Sequence, residues 1–218
     1  MKSRGERKLY TIPLPSRLVN AIEDGSEKNI LEVGCGYGRA CFFLNENGFN
    51  VVGVDIDRVQ IRLAQEEAKS RGIKGEIGFL LCDAENLCFP DSSFDAVTML
   101  GVLTLVSKSE RFRIMSEVHR ILKKDGYISV EEFGRTWENP VCAKRYRDDF
   151  KVTGELGTVT VKDETGRILH FGHHFTRKEI LNLLQRFHVI DFEEGMFTSY
   201  YHKNWANGFN VLAQKRTG

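Results

Sequence analysis

Asn29-Ile30-Leu31-Glu32-Val33-Gly34-Cys35-Gly36-Tyr37-Gly38 decides how this chain folds. Its first half is a short apolar run bounded by glycine, the composition of a strand buried on both faces. Its second half places Gly34, Gly36 and Gly38 at alternate positions just before a helical pattern begins at Arg39. Glycine lets the backbone reverse sharply and lets a ligand approach where a Cβ would collide. The spacing is GxGxG. A dinucleotide fingerprint needs GxGxxG, and Arg39 occupies the position that would complete it. No GK[ST] follows for a phosphate-cradling loop. Glu32 sets a carboxylate two residues ahead of the first glycine.

Outward from this loop, short apolar runs alternate with amphipathic stretches. The pattern predicts helices over Arg39–Asn47, Asp57–Arg71 and Ser109–Lys123, and strands over Asn50–Val54, Ile77–Cys82, Phe94–Leu100 and Tyr127–Phe133. The end of the third helix combines Lys123 and Lys124 with Gly126 as its C′ glycine. Such alternation implies crossover connections and a parallel sheet covered on both faces. The rhythm breaks after Phe133. Residues 134–175 are polar, aromatic and histidine-rich, with a hairpin expected around Gly154–His170 that turns at Asp163-Glu164-Thr165-Gly166. Thr176 and Glu179 form a capping box for a helix to Arg186, and Val189–Glu194 and Gly208–Gln214 read as closing strands. Leu14–Glu23 reads as a helix at the front. The expected organisation is a single domain: a helical N-terminal lid over 1–28, a cofactor-binding core over 29–133, a substrate-side insertion over 134–175, and a terminal helix with two strands over 176–218.

Composition narrows the function classes. At 218 residues, 41% hydrophobic and 28% charged, the chain can bury a core. Thirty-one basic residues against thirty acidic ones leave a net charge of +1, without the strong field expected of a nucleic-acid binder. Met1 to Ile30 hold no apolar stretch of signal-peptide length, and no run approaches a membrane span. The five cysteines (Cys35, Cys41, Cys82, Cys88 and Cys142) include no CxxC pair, so neither a disulfide framework nor a metal site is expected. The expected setting is reduced and cytoplasmic.

Two more carboxylates stand at consecutive strand ends. Asp55, twenty-one positions beyond Gly34, closes Val51-Val52-Gly53-Val54-Asp55 and is placed to accept hydrogen bonds from a ribose diol. Cys82-Asp83-Ala84 closes the next strand, where a carboxylate can receive an adenine amino group. An adenosine ligand without a pyrophosphate accounts for all three sites.

Over Asn29–Phe133 the chain resembles the class I S-adenosylmethionine-dependent methyltransferases, and within them the type-11 methyltransferase domain. The resemblance rests on the glycine loop, Asp55, Asp83-Ala84, the segment Phe89-Pro90-Asp91-Ser92-Ser93-Phe94-Asp95, and Arg120-Ile121-Leu122-Lys123-Lys124-Asp125-Gly126-Tyr127. It implies a Rossmann-like, doubly wound, seven-stranded α/β sheet, mostly parallel with an antiparallel last strand, and a small lid inserted after strand five. It implies S-adenosylmethionine as cofactor and S-adenosylhomocysteine as product. Glu32, Gly34, Cys35, Gly36 and Gly38 would then lie along the methionine part, and Asp55 would hold the ribose with Ile56 beside it. Asp83 and Ala84 would meet the adenine, and Leu100 would line the pocket.

In such sheets ligands bind beyond the carboxyl ends of the strands. The segment Glu131-Glu132-Phe133, the insertion, and the connection 196–207 should reach that edge, bringing Trp137, Arg145, Tyr146, Arg147, His170, His173, His174, Tyr200, Tyr201, His202 and Trp205. Tyr146, Arg147 and Trp205 are the acceptor-facing candidates. Methyl transfer requires alignment of acceptor, methyl and sulfur, exclusion of water, and removal of a proton where the acceptor carries one. Glu132, His173 and His174 are the candidate bases. Against this, the histidines also read as lid hydrogen-bonders, and Glu131 and Glu132 as solvated. Many relatives carry a histidine pair after strand four, where this chain has Leu103-Thr104-Leu105. The leading reading is a methyltransferase for a small-molecule acceptor, with no membrane partner. A second, methylation of RNA or protein, rests on Lys144-Arg145-Tyr146-Arg147, which equally reads as a solvated helix face. A third is a non-catalytic cofactor-binding domain.

Overall fold

A computed structural model describes residues 15–22, 28–71, 73, 75–198 and 205–216, with 197–198 and 205–206 as backbone only. Along the chain run α1 (Ser16–Ala21), β1 (Asn29–Val33), α2 (Arg39–Glu46), β2 (Asn50–Asp55), α3 (Arg58–Ser70), β3 (Ile77–Leu81), β4 (Phe94–Leu100), α4 (Lys108–Ile121), β5 (Leu122–Phe133), α5 (Pro140–Thr153), β6 (Thr158–Lys162), β7 (Ile168–His173), α6 (Arg177–Leu183), β8 (Phe187–Thr198) and β9 (Trp205–Lys215). A seven-stranded sheet takes the order β3-β2-β1-β4-β5-β9-β8, and β6-β7 pair separately. β1 to β5 are parallel, while β9 runs antiparallel between β5 and β8. This is the doubly wound sheet with an antiparallel last strand that the sequence predicted.

Side-chain alternation assigns each strand residue to one of two cores. Ile30, Val51, Ala96 and Leu212 pack with Leu18 of α1, Phe42 and Leu44 of α2, and Ile61 and Ala64 of α3. Leu31, Val33, Val97, Met99, Ile128, Val130, Val211 and Ala213 face the other way, against Ile114, Met115, Val118 and Ile121 of α4 and Ile180 and Leu183 of α6. Burying each such aliphatic side chain contributes about 1.5–3 kcal/mol. The chain order reverses between β1 and β4, so a crevice opens beyond their carboxyl ends, where doubly wound sheets take their ligands.

Several boundaries differ from the sequence reading. α4 ends at Ile121, because Leu122 is already extended at φ −70°, ψ 134° and enters β5. The left-handed residue of that turn is Asp125 at φ 58°; Gly126 is instead close to its neighbours, since a Cβ there would lie 3.0 Å from the Asp95 carbonyl oxygen. The N-terminal helix is shorter than Leu14–Glu23, covering Ser16–Ala21. α5 has no counterpart among the predicted elements, although its N-cap is regular: Asn139 accepts from the amides of Val141 and Cys142, with Pro140 following. The hairpin is β6-β7, and its turn is the predicted one, with Asp163 accepting from the amides of Thr165 and Arg167.

The insertion is bolted to the core by buried arginines. Arg111 of α4 is 4% exposed; it donates to the Leu103 carbonyl at 3.0 Å and to both Glu155 oxygens at 2.6 and 3.2 Å. Arg135 donates to the carbonyls of His174 and Leu156 and to Glu179. Removing one member of a buried pair leaves the other charge uncompensated. Arg111→Met should therefore lower stability by about 3 kcal/mol in urea unfolding. Lys144→Ala, which breaks the exposed Lys144–Asp148 pair, should cost less than about 0.5 kcal/mol.

Candidate active site

The glycine loop leaves β1 through alternating left-handed residues: Gly34 at φ 70°, Gly36 at φ 52° and Gly38 at φ 89°. A Cβ on Gly34 would lie 2.5 Å from Val102 Cγ2, and one on Gly38 would lie 2.8 Å from the Phe79 ring. At Gly36 the nearest atom to such a Cβ is Gln60 Oε1, 3.9 Å away, so the loop is open on that side. Asp55, at the end of β2, holds the loop in place. Its Oδ2 accepts from the Gly36 amide at 2.8 Å and its Oδ1 from the Asp57 amide at 2.8 Å. The Cys35 amide bonds the Val54 carbonyl, extending the β1–β2 ladder past the strand end.

The other residues expected at a cofactor gather along the same edge. β1 pairs Val33 with Val54 of β2 and Met99 of β4, and β2 pairs Asp55 with Leu81 of β3. Ile56 follows Asp55 and is 74% exposed, an apolar side chain presented at the sheet edge. Asp83 and Ala84 follow β3; Asp83 is exposed, with Oδ1 accepting from the Glu85 amide at 2.9 Å. Leu100 closes β4. Glu32 is buried and accepts from the Cys41 thiol at 2.9 Å; burial pushes its carboxyl up to about 7.

The acceptor-side candidates divide. Glu131 and Glu132 are not solvated: they are 2% and 5% exposed, because β5 is an interior strand. Glu132 accepts from the amides of Leu103 and Thr104 at 2.6 and 3.1 Å, bracing the 3-10 turn Leu103–Leu105, and burial raises it to about 8. His173 is 1% exposed, bonded to Thr158 Oγ1 at 2.8 Å and set between Glu155 and Glu179. His174 Nδ1 meets the hydroxyl of the fully buried Tyr146 at 2.7 Å, and its ring lies 6.0 Å from that of Phe133. Arg147 is exposed, whereas its neighbours in the basic run are engaged internally: Lys144 with Asp148 and Arg145 with the Thr160 carbonyl. Tyr200, Tyr201 and His202 lie outside the described residues, as does the side chain of Trp205, whose backbone opens β9. Of the expected 1–28 lid, only 15–22 and residue 28 are described.

Sequence reasoning missed a row of buried polar side chains on the α1–α3 face: Thr98, Ser129, Glu131 and Asn210. The signal was present in β5, where Ser129 and Glu131 alternate with Ile128 and Val130.

The comparisons agree with this geometry. A model of a methyltransferase domain matches residues 30–126. A SAM-dependent methyltransferase from Methanosarcina mazei superposes with a TM-score of 0.86 at 36% identity, covering 91% of this chain and 96% of that one. The chain belongs to the SAM-dependent methyltransferases. S-adenosylmethionine is the methyl donor of this family. A ubiquinone/menaquinone biosynthesis C-methyltransferase from Hydrogenovibrio crunogenus is 30% identical over 115 residues, 52% of this chain and 44% of that protein. Norajmaline N-methyltransferase from Rauvolfia serpentina is 27% identical over 143 residues, 64% of this chain and 48% of that protein. The methyltransferase thus spans about half the length of these curated relatives. Among its described residues no helix is long and apolar enough to cross a membrane.

The buried carboxyls make stability depend on pH in two directions. Glu32 and Glu132 stay protonated in the fold above the ordinary carboxylate range, so stability falls as pH rises from about 5 to about 8. Each group contributes about 1.4 kcal/mol per pH unit between its unfolded and folded values. Glu179 behaves oppositely: burial alone would raise it, but the His173 ring 3.6 Å away and bonds from the Thr176 amide and hydroxyl hold it at about 2, so its contribution is lost on acidification. Calorimetric melting across pH 4–8 should show a maximum near pH 5, and Glu32→Gln should lose less between about pH 5 and 7 than the native chain.

Proposed function

We propose that the chain binds S-adenosylmethionine along the Gly34–Gly38 loop and directs its methyl group to a small-molecule acceptor. The observation that carries this reading is the convergence of a loop with left-handed glycines at alternate positions, open at Gly36, with Asp55, Ile56, Asp83 and Leu100 on one sheet edge. The group fits the residues present. The open side at Gly36 leaves the backbone approachable where a Cβ would stand. Each Asp55 oxygen spends one lone pair on an amide, which leaves acceptor capacity for a ribose diol. Exposed Ile56 offers an apolar face to an adenine ring, and exposed Asp83, with only Oδ1 taken by the Glu85 amide, retains acceptor capacity for its amino group.

When bound, the cofactor supplies a methyl group already activated on a sulfonium. The chain's own contribution is then alignment and exclusion of water, and holding reactants in line supplies most of the acceleration such a reaction needs. Glu132 acts as a brace in this reading, because both its oxygens are committed to the Leu103 and Thr104 amides. His173 likewise stabilises the insertion. His174, half-buried, linked to Tyr146 and with its ring 6.0 Å from that of Phe133 at the end of β5, is the better candidate to relay a proton from an acceptor. The internal pairing of Lys144 and Arg145 supports a small acceptor over a polyanion. The relatives' names support it too, since a quinone-pathway C-methyltransferase and norajmaline N-methyltransferase both point to small acceptors.

Calorimetric titration should show S-adenosylmethionine binding, weakened about tenfold or more by Asp55→Ala, which removes both ribose acceptors and the Gly36 anchor. Unchanged affinity would place the ribose elsewhere. Incubation of protein and cofactor with metabolite pools should yield a product heavier by one methyl group.

A further inference from the structure

On the α1–α3 face of the sheet, a buried polar floor adjoins the glycine loop. Strand register makes it continuous: Glu32 pairs with Thr98, Thr98 with Ser129, Leu100 with Glu131, and Glu131 with Asn210. Directly paired residues on one face stand about 4.5–5.5 Å apart at Cβ. Thr98, Ser129, Glu131 and Asn210 are 0%, 1%, 2% and 4% exposed. Among the described residues no donor or acceptor reaches Thr98 Oγ1, Ser129 Oγ, either Glu131 oxygen or Asn210 Oδ1. A buried polar atom without a partner costs about 1–3 kcal/mol, so a cluster of them in one place points to a ligand that completes it.

The chemistry of the floor selects that ligand. Glu131 and Asn210 present three unpartnered acceptor atoms, and the two hydroxyls can accept as well. The charged groups nearest Glu131 are Arg17 of α1, Arg39 of α2, Glu32 of β1 and its neighbour Glu132. Arg17 is already held by Asp191 and Glu193 of β8. Toward the carboxyl end of β5 the floor is flanked by aromatic rings: Phe133 lies two residues beyond Glu131 on the same face, and its ring leads to those of His174 and Tyr146.

We propose that Glu131, with Asn210, Ser129 and Thr98, forms an amine-anchoring subsite that selects methyl acceptors carrying an ammonium group on an aromatic body. An ammonium brings three N–H donors to this acceptor-rich floor, an alcohol one, and a carboxylate none. Burial pushes the unpaired Glu131 carboxyl up, and an ammonium set against it supplies the counter-charge that a buried carboxylate requires. The aromatic body then rests against Phe133 and His174. The subsite rests on the methyltransferase reading, because its place beside Glu32 puts it at the methionine end of the bound cofactor.

The test uses the full chain saturated with S-adenosylhomocysteine. Binding of tryptamine and 2-phenylethylamine is compared by calorimetry with that of tryptophol, 2-phenylethanol and 3-phenylpropionate. The native chain should prefer the amines by about tenfold or more, the effect of one charge-assisted bond. Glu131→Gln should abolish the preference while melting no lower than the native chain and binding S-adenosylhomocysteine within about twofold. Glu131→Asp should keep part of the preference. Amines that bind no better than the alcohols, or not at all, overturn the subsite while cofactor binding stands. So does a preference that survives in Glu131→Gln. Absence of S-adenosylhomocysteine binding overturns the methyltransferase reading, and the subsite with it.

Discussion

One carboxylate organises the cofactor edge. Asp55 bonds the Gly36 amide with one oxygen and the Asp57 amide with the other, and Asp57 in turn caps α3 through the amides of Val59 and Gln60. The loop after β1, the end of β2 and the start of α3 therefore move as one piece. That rigidity matters because the loop has no side chains of its own at Gly34, Gly36 and Gly38 to pack it down. Its left-handed backbone is held by neighbours: Val102 under Gly34, Phe79 against Gly38, and the Cys35–Val54 bond between them. The reversal of strand order between β1 and β4 then places this fixed backbone beside an open crevice.

Ion pairing inside the chain does a different job on the acceptor side. Arg111 reaches from the core to Glu155 in the insertion, and Arg135, at the start of the insertion, ties its His174 and Leu156 carbonyls to Glu179 of α6, so both charges are spent on holding the insertion in place. Glu132 joins the same system from below by clamping the turn Leu103–Leu105, whose Thr104 hydroxyl bonds the His173 carbonyl. A small, near-neutral domain thus gains a rigid cover without a large second core.

The polar floor stands apart from both systems. Elsewhere in the seven-stranded sheet polar side chains find partners: Glu132 in backbone amides, half-buried Asp95 in Lys123 and the Asn29 amide. Among the described residues Thr98 Oγ1, Ser129 Oγ, both Glu131 oxygens and Asn210 Oδ1 have no such partners, although leucine or valine would fill their places at lower cost. They lie together on one face of the sheet, next to Glu32, so the energetic anomaly is concentrated beside the glycine loop.

Much of this was legible in the residues alone. Apolar runs over 29–33 and 94–100 gave two strands at their observed limits, and the glycines, Asp55 and Asp83 named from the sequence stand at consecutive strand ends. These are local signals, because period and turn chemistry act within a few residues. Helix α5 escaped because its residues are mostly polar and charged, with only Ala143 and Tyr146 buried, too sparse a stripe for periodicity to register. The fate of the acidic and histidine side chains was not local at all. Glu131 and Glu132 are adjacent in sequence, yet they point to opposite faces; Glu132 meets the amides of a turn twenty-eight and twenty-nine residues away, and Glu131 has no hydrogen-bond partner among the described residues. The sequence by itself determined which backbone could cradle a cofactor. Only the tertiary structure decided which carboxylates are braces and which is left unpaired, because a buried charge takes its role from partners that the chain brings from elsewhere.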